Sequence, residues 1–280
     1  AGVTAPSAHA PDAGPLPDED MARWAPVDAL VASAIEAGKM PGCVVVVGRR
    51  DEILFERAYG SRSLLPSQSP MTVDTVFDLA SLTKPVATAT SIMILVERGK
   101  IDLDARAAAY VPELARLPPF TVRQLLVHTS GLPAGTPMAE WSTDRAEVLR
   151  RIAALTPKSQ PGQKFLYSDV GFVVLQEIVQ RASGRDLAAF ATDEIFRPLG
   201  MTETGFLPPP ELRARAAPTE HRDGGVIQGE VHDPRAFALG GVAGHAGVFS
   251  TARDMSRYAR AMLERGGLEG QRVLSEGTFE

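Results

Sequence analysis

Residues 86–98, VATATSIMILVER, are apolar or small almost all the way round until Glu97, and Gly99 follows as a stop. A helix of that kind has no face to offer water, so the rest of the chain must wrap around it. Pro85 lacks an N–H and is tolerated only in a helix's first turn, which fixes the helix start at the tetrapeptide before it, Ser81-Leu82-Thr83-Lys84. Residues three apart on a helix share a face. Lys84 can therefore bring its amine to the Ser81 hydroxyl, at an end where free backbone N–H groups and the helix dipole favour an anionic oxygen. A serine hydroxyl is a weak nucleophile that needs a neighbouring base. Ser-x-x-Lys also arises by chance, with a capping serine and a solvated lysine, so the motif needs context.

The rest of the chain supplies enough material for that wrapping: 280 residues, 44% hydrophobic and 22% charged, are ordinary for a globular protein of one or two domains. A formal net charge of −5 and the lack of any Lys/Arg run argue against a nucleic-acid partner. The runs CVVVV and SIMILV are too short to cross a bilayer, so no transmembrane segment is expected. The single cysteine, Cys43, has no internal partner and reads as a buried small hydrophobe.

Residues 1–21, rich in Ala, Pro and Asp, read as a disordered leader. A helix is expected over 26–37, with Pro26 at its start, Leu30, Val31, Ala34 and Ile35 as its stripe and Gly38 as its stop. Two strands follow at 43–48 and 53–59. The valines of the first are apolar on both faces, as in a central strand. Helices are expected at 121–127, 144–155, 170–183 and 186–196, and residues 205–240, with three prolines at 208–210, read as loop. A last helix begins near Thr251, capped by Ser250 or Thr251, with Met255, Tyr258 and Met262 as its stripe. The order implies an α+β fold: an antiparallel sheet flanked by helices, with a large helical insertion. It divides into a sheet domain from 22–80 and 241–280 and a mainly helical domain over 81–240.

A second stretch bears on the Ser81 question. PGQKFLYSDVGF, residues 161–172, places Tyr167-Ser168-Asp169 in a loop just before an apolar helix. A tyrosine hydroxyl can relay protons between a serine, a lysine and a leaving group, although a half-buried tyrosine more often only satisfies its own hydroxyl. His9 lies in the leader, and His128 reads as a residue that holds a turn. His221 and His232, with Asp223 and Asp233 nearby, match no standard zinc spacing, and no metal or other cofactor is expected. Trp24 and Trp141 read as core or rim aromatics.

Together, SLTK at 81–84, LLVHTSGL at 125–132, PGQKFLYSD at 161–169 and ASGRDL at 182–187 resemble the serine β-lactamase and penicillin-binding protein superfamily. The branch they are most similar to contains class C β-lactamases, related esterases and D-alanyl-D-alanine peptidases. The resemblance, which runs from about residue 26 to the end, implies a β-lactamase/transpeptidase-like fold and an acyl-enzyme mechanism. Ser81 would attack a lactam, ester or peptide carbonyl and lend its N–H to an oxyanion hole, while Lys84 and Tyr167 would share the proton transfers. The substrate would be a small molecule (a β-lactam, an ester or a peptidoglycan stem peptide), and the protein would be periplasmic or secreted. Two departures matter. The family's Tyr-x-Asn motif here ends in Asp169, a substrate-side residue whose carboxylate beside Lys84 would hold the amine protonated. A third motif, Lys-Thr-Gly or His-Thr-Gly, is not evident. HTSG at 128–131 comes too early in the chain, and His245-Ala246-Gly247 resembles a glycine-rich loop set directly before a helix with little room for a strand; whether His245 contributes is open. The resemblance implies that further strands would follow Glu280 and that this chain alone is weak or inactive. A non-catalytic penicillin- or peptidoglycan-binding module is the alternative from another class.

Overall fold

The computed structural model describes residues 22–50, 52–137 and 141–279, so the expected leader lies outside the described residues. Helix α1, Ala25–Glu36, opens the described chain with Pro26 in its first turn. Its inward residue is Val31, whereas Leu30, expected in the same stripe, is 72% exposed. The inward face is continued by Val27, Asp28, Ala34 and Ile35, all half-buried. Asp28 accepts from both Tyr59 and Arg57 of the strand beneath, so the helix presents a polar residue inward where the pattern suggested a purely apolar stripe.

Strands β1 (Gly42–Arg49) and β2 (Glu52–Ser63) form a long antiparallel hairpin with Val45 opposite Arg57, and β3 (Ser69–Pro70) extends it. Among the described residues β1 pairs only with β2. The valine run is half-buried and lies at a sheet edge, not in the centre its composition suggested. A second sheet has the order β4–β8–β5, from Val76–Asp78, Val248–Thr251 and Gly205–Phe206, all antiparallel. The strand β8 corrects the expectation that residues between His245 and the last helix leave no room for one: all four of its residues are buried.

The helical part is built as its apolar periodicity suggested. A short 3₁₀ turn, Ala80–Leu82, leads into a widened π-turn, Lys84–Ala89, and then into α2, Thr90–Glu97. The Thr90 hydroxyl donates to the Pro85 carbonyl at 2.8 Å within the widened turn. Helix α3, Val122–Leu126, is closed by a Thr121/Gln124 capping box, and α4, Arg145–Ala153, is capped by Asp144. Helix α5, Asp169–Ser183, runs from the Ser168 cap to a left-handed Gly184, the residue type that meets no steric penalty there. Helix α6, Leu187–Ala191, continues as a π-turn to Phe196. α2, α3, α5 and α6 enclose Ile92, Leu95, Leu125, Val174, Leu175 and Phe190 in one main core. Each such side chain, fully buried, contributes roughly 1.5–3 kcal/mol of transfer free energy.

Residues 205–240 are not the plain loop that their prolines and glycines suggested. They form β5, a short helix α7 (Pro210–Arg215), the hairpin β6–β7 (Pro218–Arg222 with Gly225–Gln228) and α8 (Pro234–Ala238). A second, smaller core of Val76, Ala216, Val231, Ala236, Ala243, Ala246 and Phe249 ties this region to β4 and β8. Helix α9, Ala252–Leu263, is capped by Thr251, and its N3 residue Asp254 accepts from the Glu203 N–H and the Thr204 hydroxyl. The short pair β9–β10, Gly267–Leu268 with Gln271–Arg272, follows it. No helix among the described residues is long and apolar enough to cross a membrane.

Candidate active site

Three parts of the chain meet at Lys84. Its side chain is 4% exposed, and its ammonium donates to the Ser81 Oγ at 3.0 Å and to the His245 carbonyl at 3.1 Å. It also pairs with the Asp169 carboxylate at 2.8 Å. Three donors thus meet three acceptors, which the ammonium form alone can satisfy. The same Nζ lies 4.6 Å from the ring centre of Tyr167 and 5.7 Å from that of Phe172, so two aromatic faces complete the cation's surroundings. Ser81 itself is exposed.

All four expected site residues, Ser81, Lys84, Tyr167 and Asp169, are therefore drawn together from two segments of the chain. Tyr167 comes by its ring: among the described residues its hydroxyl has no hydrogen-bond partner, and it is 43% exposed. Asp169 points at Lys84, 2.8 Å from its ammonium.

His128 holds the tyrosine loop. Its carbonyl accepts the Leu166 N–H at 2.8 Å and its Nδ1 accepts the Ser168 N–H at 3.0 Å, so the ring is the Nε2–H tautomer. It stacks on Tyr167 at 4.4 Å between ring centres, with Phe172 and Phe165 at 5.1 and 5.7 Å. Ser168 caps α5 through its Oγ, which also donates to the Pro133 carbonyl at 2.7 Å. Burial depresses the His128 imidazole below its ordinary value, the Lys84 charge adds to this, and Asp169 opposes it. A histidine lowered on folding contributes stability that is fully present above its unfolded value of about 6.5 and is lost as the pH falls through the folded value. The urea midpoint of the parent protein should therefore drop more between pH 7.5 and pH 5 than that of His128→Gln. Parallel pH profiles for the two would contradict this.

The His245 carbonyl arrives on a glycine-rich loop that fits closely against the helices. A Cβ on Gly244 would lie 2.0 Å from the Phe172 carbonyl oxygen, so only glycine allows this approach. The Thr88 hydroxyl donates to the Gly244 carbonyl at 2.7 Å, and the Gly244 N–H donates to the Gln176 side chain at 2.9 Å. The His245 ring is buried, its Nε2 3.0 Å from Asp233. Burial alone would raise the Asp233 carboxyl, but the His245 hydrogen bond and charge, the Ala236 N–H and Arg235 outweigh it and hold it well below the usual carboxylate range. Asp169, Asp233 and His245 offer three ligand atoms within 4.8 Å of one another. The Lys84 ammonium on Asp169 already supplies the positive charge that a metal ion would bring there.

Sequence reasoning did not single out Asp78, Thr83 or Phe172. Thr83 Oγ1 accepts the Val248 N–H at 3.1 Å, which docks β8 beside the nucleophile turn. Of the histidines and aspartates flagged at 221–233, His232 turns to Asp78 and Asp233 to His245, so they form no cluster of their own.

The family profile described as Beta-lactamase matches residues 27–280. A protein of Escherichia coli (strain K12) bearing the name "Putative D-alanyl-D-alanine carboxypeptidase" is 31% identical over 278 residues, covering 86% of this chain and 64% of that protein. An "N-acetylmuramyl-L-alanine amidase" of Bacillus subtilis (strain 168) is 32% identical over 291 residues, 91% of this chain and 66% of that one. The chain thus spans a little under two thirds of the length of these curated relatives. Among solved structures, EstCE1, "a hydrolase with promiscuous acyltransferase activity", superposes with a TM-score of 0.75 over 93% of this chain and 76% of that chain at 23% identity.

Proposed function

Since the chain belongs to the Beta-lactamase family, we propose that it is a serine hydrolase acting through a Ser81 acyl-enzyme on a β-lactam or a related amide or ester. The observation that carries this reading is the buried Lys84 ammonium held within hydrogen-bond reach of an exposed Ser81 hydroxyl. In the proposed step the Ser81 Oγ forms a bond to the substrate carbonyl carbon as its own O–H bond breaks. The Tyr167 hydroxyl relays the proton, accepting it from Ser81 while passing its own to the leaving group as the carbonyl–leaving-group bond breaks. A water repeats the sequence to release the acid. Lys84, engaged by Asp169, serves as the fixed donor that orients the Ser81 hydroxyl. The Ser81 N–H supplies one oxyanion contact. No metal or other cofactor takes part in these steps.

The test is intact-mass spectrometry after incubation with benzylpenicillin, together with nitrocefin turnover. An adduct of one benzylpenicillin on Ser81 or nitrocefin hydrolysis supports the reading; neither, at millimolar probe and with no turnover of a p-nitrophenyl ester, overturns it. Tyr167→Phe should then slow acylation by about 10²-fold or more, the usual contribution of a positioned acid–base group. If it acylates at the parent rate, the proton goes elsewhere.

A second reading is favoured by the relatives' names: hydrolysis of an amide in a peptidoglycan stem, as a D-alanyl-D-alanine peptidase would perform. Such a substrate would be met in the periplasm or outside the cell. A stable penicillin adduct without nitrocefin turnover would favour this reading, or a non-catalytic penicillin-binding role, over a β-lactamase, and ester turnover with neither would favour a carboxylesterase.

A further inference from the structure

The residue before the nucleophile, Ala80, has φ of 47°, in the left-handed region that a side chain disfavours. Something must hold it there, and the hydrogen bonds identify what. The Ala80 N–H donates to Asp78 Oδ1 at 2.9 Å. The other carboxylate oxygen of Asp78, Oδ2, accepts the His232 N–H at 2.9 Å and meets His232 Nδ1 at 2.8 Å. The Asp78 side chain is wholly buried. A buried carboxylate that receives three hydrogen bonds is a stiff element, because releasing any one of them leaves a desolvated acceptor.

Both ends of this brace are anchored. Asp78 ends β4, opposite Phe249 of β8, and the next residue, Leu79, donates its N–H to the Val248 carbonyl at 2.9 Å. His232 lies between Val231, part of the small second core, and Asp233, which caps α8 and pairs with His245. The brace therefore joins the turn in front of Ser81 to the same region that carries the His245 carbonyl to Lys84.

We propose that Asp78 and His232 are positioning residues for Ser81: they hold Ala80 in its left-handed conformation and so aim both the Ser81 hydroxyl and its backbone N–H. Neither touches the reacting atoms. Their contribution is to the attack geometry, where misplacement by about 1 Å can cost on the order of 10²-fold in rate. The proposal rests on Ser81 being the acylated residue.

The test follows the rate at which a fluorophosphonate phosphonylates Ser81, the Oγ–P bond forming as fluoride leaves, at several concentrations, which separates the maximal rate from the half-saturating concentration. Asp78→Ala should lower the maximal rate by about 10- to 100-fold while leaving half-saturation within about twofold. The deciding variant is Asp78→Ala combined with Ala80→Gly. Glycine adopts the left-handed conformation without a brace, so the second change should restore a large part of the lost rate, whereas Ala80→Gly in the parent should change it little. A purely structural loss would not be repaired by adding a glycine. His232→Gln serves as the second route to the brace should Asp78→Ala fail to fold, and Ala80→Gly should likewise repair its loss. An undiminished rate in Asp78→Ala or His232→Gln, or no recovery on adding Ala80→Gly, overturns the positioning role alone. Absence of any Ser81 adduct in the parent overturns it together with the acyl-enzyme reading.

Discussion

Ser81→Ala is expected to abolish covalent labelling by penicillin and to cut any turnover by about 10⁴-fold or more, while leaving the fold intact. The two halves of this expectation have separate causes. The hydroxyl is the atom proposed to form a bond to a carbonyl carbon and then release it, so on that reading its loss removes the reaction path and not merely a stabilising contact. Its structural contribution is small. Ser81 is exposed, and the one hydrogen bond it loses, from Lys84 at 3.0 Å, can be replaced by water at a net cost of about 1 kcal/mol. Urea unfolding of the variant should thus lie close to the parent curve while activity and the mass adduct vanish. A folded Ser81→Ala protein that still hydrolyses nitrocefin would move the nucleophile elsewhere.

Lys84→Ala should behave in the opposite way, losing stability as well as activity. The variant leaves the Asp169 carboxylate, the His245 carbonyl and the Ser81 hydroxyl without their shared donor. Removing one partner of a buried ion pair costs roughly 3–5 kcal/mol because the other charge stays behind. Asp169 keeps 20% of its side-chain surface, so water can reach it and the lower end, about 3 kcal/mol, is the better figure. Against a typical total of about 5–15 kcal/mol that is a large share. The test is a double-mutant comparison by urea unfolding. Lys84→Ala with Asp169→Asn removes the same stem but leaves no unpaired charge and should recover a large part of the loss, with unfolding slopes unchanged. Equal losses for Lys84→Ala and for the double variant would mean that the ion pair contributes little and that the packing of the lysine stem dominates.

Features visible in the sequence are those set by local chemistry. Pro85 and Gly99 bracket a run that must be buried, Ser168 and Gly184 bracket α5, and the Ser81–Lys84 spacing is the geometry of one helical turn. The features that stayed hidden depend on partners far along the chain or on groups with no residue signature. Asp78 and His232 are 154 positions apart, and nothing in either neighbourhood points to the other. The His245 contribution to Lys84 is a backbone carbonyl, which any residue type could supply, while its imidazole attracted attention and turned out to face Asp233. The helices and strands of 205–240 are two to six residues long, too short for a hydrophobic period to show through their prolines and glycines. The valines of β1 looked central by composition, yet among the described residues the strand has a neighbour on one side only.

The Lys84 ammonium collects its acceptors from residues 81, 169 and 245, the last 161 positions away. Contacts of such long sequence separation form late, once the loop-closure entropy has been met. A nascent or partly collapsed chain therefore holds the local Ser81–Lys84 pair before the Asp169 carboxylate and the His245 carbonyl arrive to fix the ammonium, and on the acyl-enzyme reading full reactivity follows only once the His245 loop has docked. In that sense acylation of Ser81 is a clock for completion of the tertiary structure: the fraction of chains that take up the label at each refolding time counts the molecules in which the His245 loop has docked.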